Sequence, residues 1–141
     1  VSHKFSPEIQ EKVRQRAHYL CEYCHTNERW QYVRFTVDHV LPNEDNSLEN
    51  LALACFHCNR RKSNKISILD AESNETIPIF NPRLHFWNEH FEWSEDKISI
   101  LSTTKIGQVT IELLQLNRPR ILLIREADIL VNRHPPEKDL T

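Results

Sequence analysis

The chain has 141 residues, 39% of them apolar and 27% charged, with 18 basic and 20 acidic side chains for a formal charge of −2. That length suits one domain, residues 1–141, with a core of its own, and the apolar content excludes wholesale disorder. No apolar run approaches the roughly 20 residues of a membrane span, and Val1-Ser2-His3-Lys4-Phe5 lacks the apolar stretch of a secretory signal, so a cytoplasmic protein with no membrane partner is expected.

Ser6-Pro7-Glu8 reads as a helix start: a capping hydroxyl, a proline in the first turn and an acid at the positive end of the dipole. Ile9, Val13, Ala17 and Leu20 then recur at helical spacing and lead into Cys21. Lys12, Arg14 and Arg16 lie off that stripe and read as a solvated face, with phosphate contact the alternative. Residues 34–41 have the β-branched and aromatic character of a strand, and residues 42–47 form a turn-rich loop. Leu51-Ala52-Leu53-Ala54 fits a short second strand, and residues 59–65 suit an exposed helix. The order strand, loop, strand, helix makes a compact ββα unit. Farther on, residues 70–76 read as a turn between short extended pieces. Phe80, Phe86, Trp87, Phe91 and Trp93 read as core. Residues 97–102 alternate weakly like a strand, residues 108–116 are helical in pattern, and Pro119 opens a second helix through Leu130. Gly107, the only glycine, marks a turn or a helix entry. The expected class is α+β.

All four cysteines fall in two pairs, Cys21-Glu22-Tyr23-Cys24 and Cys55-Phe56-His57-Cys58. In a chain without a secretory signal such pairs point to metal rather than to disulfides. Four thiolates close a tetrahedral zinc and leave no open position, so the site is structural and clamps the segment it encloses. Residues 25–54, between the pairs, exceed the ~15–20 of a zinc ribbon, so a folded segment is expected there. That segment carries Asp38-His39 and Asn50, and Asn59 follows the last cysteine. Phosphodiester hydrolysis needs a base for water and a cation to offset charge on the phosphate. Asp38 and Asn59 offer oxygen ligands for a hard divalent ion, and His39 is a residue type largely neutral at pH 7, available as a base. Neighbours on a strand point to opposite faces, so Asp38 and His39 can share a site only where the strand is frayed or bulged. A helix cap is the rival reading of Asn59, behind the ligand role. From Leu51 to Leu69 there is no acid, while Arg60, Arg61, Lys62 and Lys65 lie together. They read as phosphate contacts to nucleic acid, or as an ordinary solvated face.

Cys21-x-x-Cys24, Asp38-His39-Val40-Leu41-Pro42, Asn50-Leu51, Ala54-Cys55-x-x-Cys58-Asn59 and Lys62 closely resemble the HNH endonucleases of the four-cysteine zinc type. The match runs from about residue 14 to 65. The resemblance implies a ββα-metal (His-Me finger) core flanked by two zinc knuckles, with a C-terminal α/β extension over about 66–134. It makes His39 the general base, Asp38 and Asn59 the ligands of a catalytic Mg²⁺ or Mn²⁺, and Asn50 a brace that orients the base. It implies a DNA substrate cut to 5′-phosphate and 3′-hydroxyl ends. Two departures stand out: Asn59 fills a position that is often histidine, and Asn43-Glu44-Asp45-Asn46 stands where glycines are common. Cutting both strands with one site per chain would suggest a dimer. The alternative is a zinc module that binds nucleic acid or protein without cutting.

Overall fold

A computed structural model describes residues 5–137. Val1 to Lys4, part of the stretch read for a secretory signal, lie outside the described residues. Helix α1 spans Pro7–Arg16, and Ser6 caps it by accepting the Ile9 N–H at 3.2 Å. Val13 and, just past the helix end, Ala17 are fully buried. Arg14 departs from the solvated face expected of it, because it is only 4% exposed. Its Nε lies 3.0 and 3.2 Å from the two carboxylate oxygens of Glu28, and Nη2 donates to the Phe35 carbonyl at 2.8 Å. A buried guanidinium is tolerable only when paired and hydrogen-bonded in this way, and here it ties α1 to the chain entering the first strand. Arg16 also turns to the backbone, donating to the carbonyls of Leu48 (2.8 Å) and Leu51 (2.6 Å). Lys12 and Arg16 both remain exposed, Lys12 paired loosely with Glu8.

Strand β1 (Thr36–His39) pairs antiparallel with β2 (Leu51–Ala54) in the register Thr36↔Ala54, Val37↔Leu53, Asp38↔Ala52 and His39↔Leu51. β1 is shorter than the expected 34–41. The Phe35 N–H is committed to Glu28 at 2.7 Å, and the Val40 N–H bonds the Asn50 carbonyl, so the ladder stops at each end. All four residues of β2 are buried. Helix α2 (Phe56–Lys62) follows β2 directly, with Cys55 as its N-cap. It therefore begins three residues before the expected Asn59, and ends where Ser63 takes a φ of 52°.

The remaining elements are β3 (Ser67–Leu69) paired with β4 (Thr76–Pro78), helix α3 (Trp87–His90), β5 (Phe91–Trp93) paired with β6 (Ile100–Ser102), and helices α4 (Lys105–Leu114) and α5 (Pro119–Leu130). Among the described residues the fold thus mixes five α-helices with short antiparallel strand pairs, and none of those helices is long and apolar enough to cross a membrane. One buried cluster joins Val13, Leu51, Leu53, Phe80, Trp87, Phe91, Ile100 and Leu114 to the four cysteines. Trp87 anchors it further by donating its Nε1 hydrogen to the Tyr23 carbonyl at 3.0 Å. Phe80, Trp87 and Phe91 are buried as expected, but Phe86 is 57% exposed. Gly107 lies in the first turn of α4 because a Cβ there would meet the His90 carbonyl oxygen at 2.1 Å.

Candidate metal centre and active site

The four cysteine sulfurs lie within 4.8 Å of one another, and all four residues are buried. Cys24 Sγ and Cys55 Sγ are 3.8 Å apart, and every cysteine is free of disulfides. A tetrahedral ion with bonds of about 2.3 Å to sulfur sets neighbouring sulfurs about 3.8 Å apart, whereas a disulfide needs about 2.05 Å. The cluster is therefore arranged to hold a metal. Its electrostatics agree: burial pushes the Cys21 thiol well up, while hydrogen bonds from the neighbouring thiols hold Cys24 well down. Four such groups cannot all ionise in a dry interior unless a cation joins them. Arg125 is also buried, donating to the Ile98 and Leu116 carbonyls, and the charge of Cys24 helps to keep it protonated against the penalty of burial. The sulfur cage thus serves as a hub of the core.

A second cluster lies across the hairpin. Asp38, His39, Asn59 and Lys62 line one small pocket with Tyr23, Ala52 and Ala54. Its volume of about 10 Å³ is close to that of one water or one small cation. No bulge brings Asp38 and His39 together: the register is unbroken to His39, the last paired residue of β1, and both residues line the pocket. Asp38 Oδ1 accepts the His39 N–H at 2.9 Å, which fixes the carboxylate. Asn59 sits in the middle of α2 rather than at its start, so it is no helix cap; Cys55 has that task. It is half-buried and lines the pocket.

The His39 ring is held from two sides. Nε2 lies 2.7 Å from Asn46 Oδ1, and the Phe5 ring meets the imidazole edge-on at 5.6 Å. An amide oxygen only accepts, so Nε2 carries the hydrogen and the neutral ring keeps its lone pair at Nδ1. Both contacts escape the sequence reading, although Asn46 belongs to the loop already marked as unusual. Asn50 is buried and works on that loop instead. Its Oδ1 accepts the Leu41 N–H at 3.0 Å, and its Nδ2 donates to the Leu41 carbonyl, Asn43 Oδ1 and the Asp45 carbonyl at 3.0–3.2 Å. Asn50 shapes the loop from which Asn46 reaches the imidazole.

The four basic residues do not form one face. Lys62 is 5% exposed and donates to the Val40 carbonyl at 2.9 Å; burial pushes its ammonium down, and Asp38 draws it partly back. Arg61 holds α4 through the Leu113 carbonyl at 3.1 Å. Only Arg60, whose guanidinium lies over the Phe56 ring, and Lys65 are exposed. His57 packs the knuckle against α4, its Nε2 2.8 Å from the Leu114 carbonyl.

Residues 21–65 match the sequence model of the HNH endonuclease family. The matched HNH stretch starts at the first cysteine, ends just past α2, and so contains both the sulfur cage and the Asp38–His39–Asn59 pocket. Septu protein PtuA of Bacillus mycoides (strain KBAB4) is 28% identical over 103 residues, which cover 64% of this chain and 14% of that protein. The chain therefore spans a small fraction of that relative. No solved structure matches the chain.

Proposed function

We propose that the chain is a metal-dependent endonuclease domain of the HNH type, acting on DNA. The observation that carries this reading is the convergence of Asp38, His39, Asn59 and Lys62 on one pocket. In this reading β1, β2 and α2 are a ββα-metal core, and Cys21, Cys24, Cys55 and Cys58 clamp it with one structural zinc. The rest of the chain packs around that core as a single domain.

Asp38 and the Asn59 carboxamide are hard oxygen donors, suited to Mg²⁺ or Mn²⁺ in a way the sulfur cage is not. Such an ion, when bound, offsets charge on the phosphate and on the departing 3′-oxygen. His39 accepts a proton from water at Nδ1 while Asn46 holds Nε2–H. The water oxygen bonds to phosphorus, the bond from phosphorus to the 3′-oxygen breaks, and that oxygen gains a proton from solvent. The products are 5′-phosphate and 3′-hydroxyl ends. The buried Lys62 ammonium adds positive charge beside Asp38 and holds the end of β1 through Val40.

Nicking of supercoiled plasmid in Mg²⁺ or Mn²⁺ tests this. The protein should nick, and His39→Ala should lower the rate about 10²–10⁴-fold with zinc content and circular dichroism unchanged. Absence of nicking from a zinc-loaded, folded protein across both ions would favour a zinc module that binds without cutting.

A further inference from the structure

The segment between the first knuckle and β1 is the most exposed apolar stretch of the HNH region. Tyr32 is fully exposed, Val33 is 61% exposed and Trp30 is 44% exposed, all within one run of five residues. Large side chains left in water this way mark contact surfaces more often than accidents of folding. Among the described residues Tyr32 and Arg34 make no hydrogen bond or ion pair, although Arg34 lies close enough to Glu11 of α1 for its charge, after the Tyr19 hydroxyl, to help hold that carboxyl down. Within the run itself the charges point one way, with Glu11 of α1 the acid near Arg34. From Arg29 to Val37 there is no acid, and the neighbouring Glu28 is spent on Arg14. At the Trp30 end of the run lies a cleft of about 310 Å³, lined by Trp30, Arg29, His18, Asn27, Asn132 and Arg133, with Glu137 the one acid on its wall among the described residues. Arg133 lies over the Trp30 ring at 4.2 Å and Arg29 over the Tyr19 ring at 4.6 Å, so both guanidinium groups rest on aromatic rings.

We infer that residues 30–34 and this cleft form a platform for single-stranded nucleic acid. An exposed aromatic flanked by arginines, with Glu11 and Glu137 the acids nearby, meets the two demands of such a ligand: a π-face for an unpaired base and cations for the backbone. Tyr32 stacks on a base, Arg34 and Arg29 face phosphates, and the cleft has room for a displaced nucleotide. A duplex keeps its bases paired and offers only its backbone, so it gains little from Tyr32. Arg34 is four residues from Asp38, a reach of at most ~14 Å along extended chain. The platform therefore delivers a strand to the Asp38–His39 pocket. That last step rests on the nuclease reading; the platform itself does not.

The test is fluorescence anisotropy with a labelled oligothymidylate and with a duplex, without added divalent ion. Tyr32→Ala should weaken single-strand binding ~5–100-fold while changing duplex binding less than ~2-fold, with Tyr32→Phe restoring the single-strand affinity. Arg34→Gln should reduce the slope of log affinity against log salt by about 0.7. Equal loss on both ligands, unchanged affinity in Tyr32→Ala, or no oligonucleotide binding by the unmodified chain would each overturn the platform; the last would leave the surface to a protein partner. The same samples, given Mg²⁺ and plasmid, separate the two claims. Selective loss of single-strand binding without any nicking sinks the nuclease and keeps the platform. Nicking with unaltered binding in Tyr32→Ala does the reverse.

Discussion

Asn46 and Lys62 are the two residues whose tasks the fold decides and the sequence hides. The Asn46 oxygen can only accept, so it fixes which ring nitrogen of His39 stays basic. Asn46→Ala should slow nicking about 10-fold, well short of the loss from His39→Ala, because the base remains but its tautomer is no longer selected. A shifted acid limb in the pH profile of kcat would mark this as positioning of the base; a merely structural role would leave the limb where it is. Lys62 lies one turn from exposed Lys65, yet it points inward to the Val40 carbonyl. Lys62→Ala should cost about 1–3 kcal/mol in urea unfolding, since it strands a buried carbonyl. It should leave the salt dependence of DNA binding unchanged, whereas Lys65→Ala should flatten that dependence without destabilising the fold. Charge alone could not separate the two in the sequence, because helix direction and the place of Val40 decide which one is buried.

Among the elements, those set by local chemistry were legible and those set by distant partners were not. Ser6-Pro7 fixed the start of α1, Pro119 fixed that of α5, and the Leu51–Ala54 strand fell where its apolar run lies. α2 was misjudged because a cysteine, Cys55, supplies its cap, and that role is invisible to rules built on oxygen side chains. The inward turn of Arg14 was equally hidden, since its partners, Glu28 and Phe35, come from separate turns of the chain. α3 and α4 meet at His90, which is buried, with Nδ1 2.7 Å from Thr104 Oγ1. Burial, helped by His85 at 5.0 Å, pushes the His90 imidazole below its ordinary range. The unfolded chain binds this proton near pH 6.5, while the fold resists it to a lower pH. Stability from this group is thus complete above about pH 6.5 and is lost as pH falls below that value toward the folded pKa. His90→Gln should flatten the fall in urea-unfolding stability on going from neutral pH to about pH 5. Acid release of metal affects both proteins alike, so the difference between them isolates His90.

On the scale of the whole molecule, the nuclease reading gives one short hairpin two ion sites of opposite chemistry, the sulfur cage and the proposed oxygen site at Asp38 and Asn59. The sulfur cage belongs to the same buried cluster as Trp87, Phe91 and Leu114, so the clamp and the later helices share a core. The four-cysteine spacing made the cage legible from the sequence. The pocket was only partly so, because its shape depends on His39 ending β1 and on a loop held by Asn50. Metal counting separates the two sites most directly. A zinc-loaded protein should retain one zinc per chain and bind one further Mn²⁺, seen by electron paramagnetic resonance and displaced by Mg²⁺. Asp38→Ala should lose the Mn²⁺ and keep the zinc, whereas Cys58→Ser should lose the zinc together with the folded signal in circular dichroism. Mn²⁺ binding undiminished in Asp38→Ala, or no Mn²⁺ bound to the intact protein, would contradict the account.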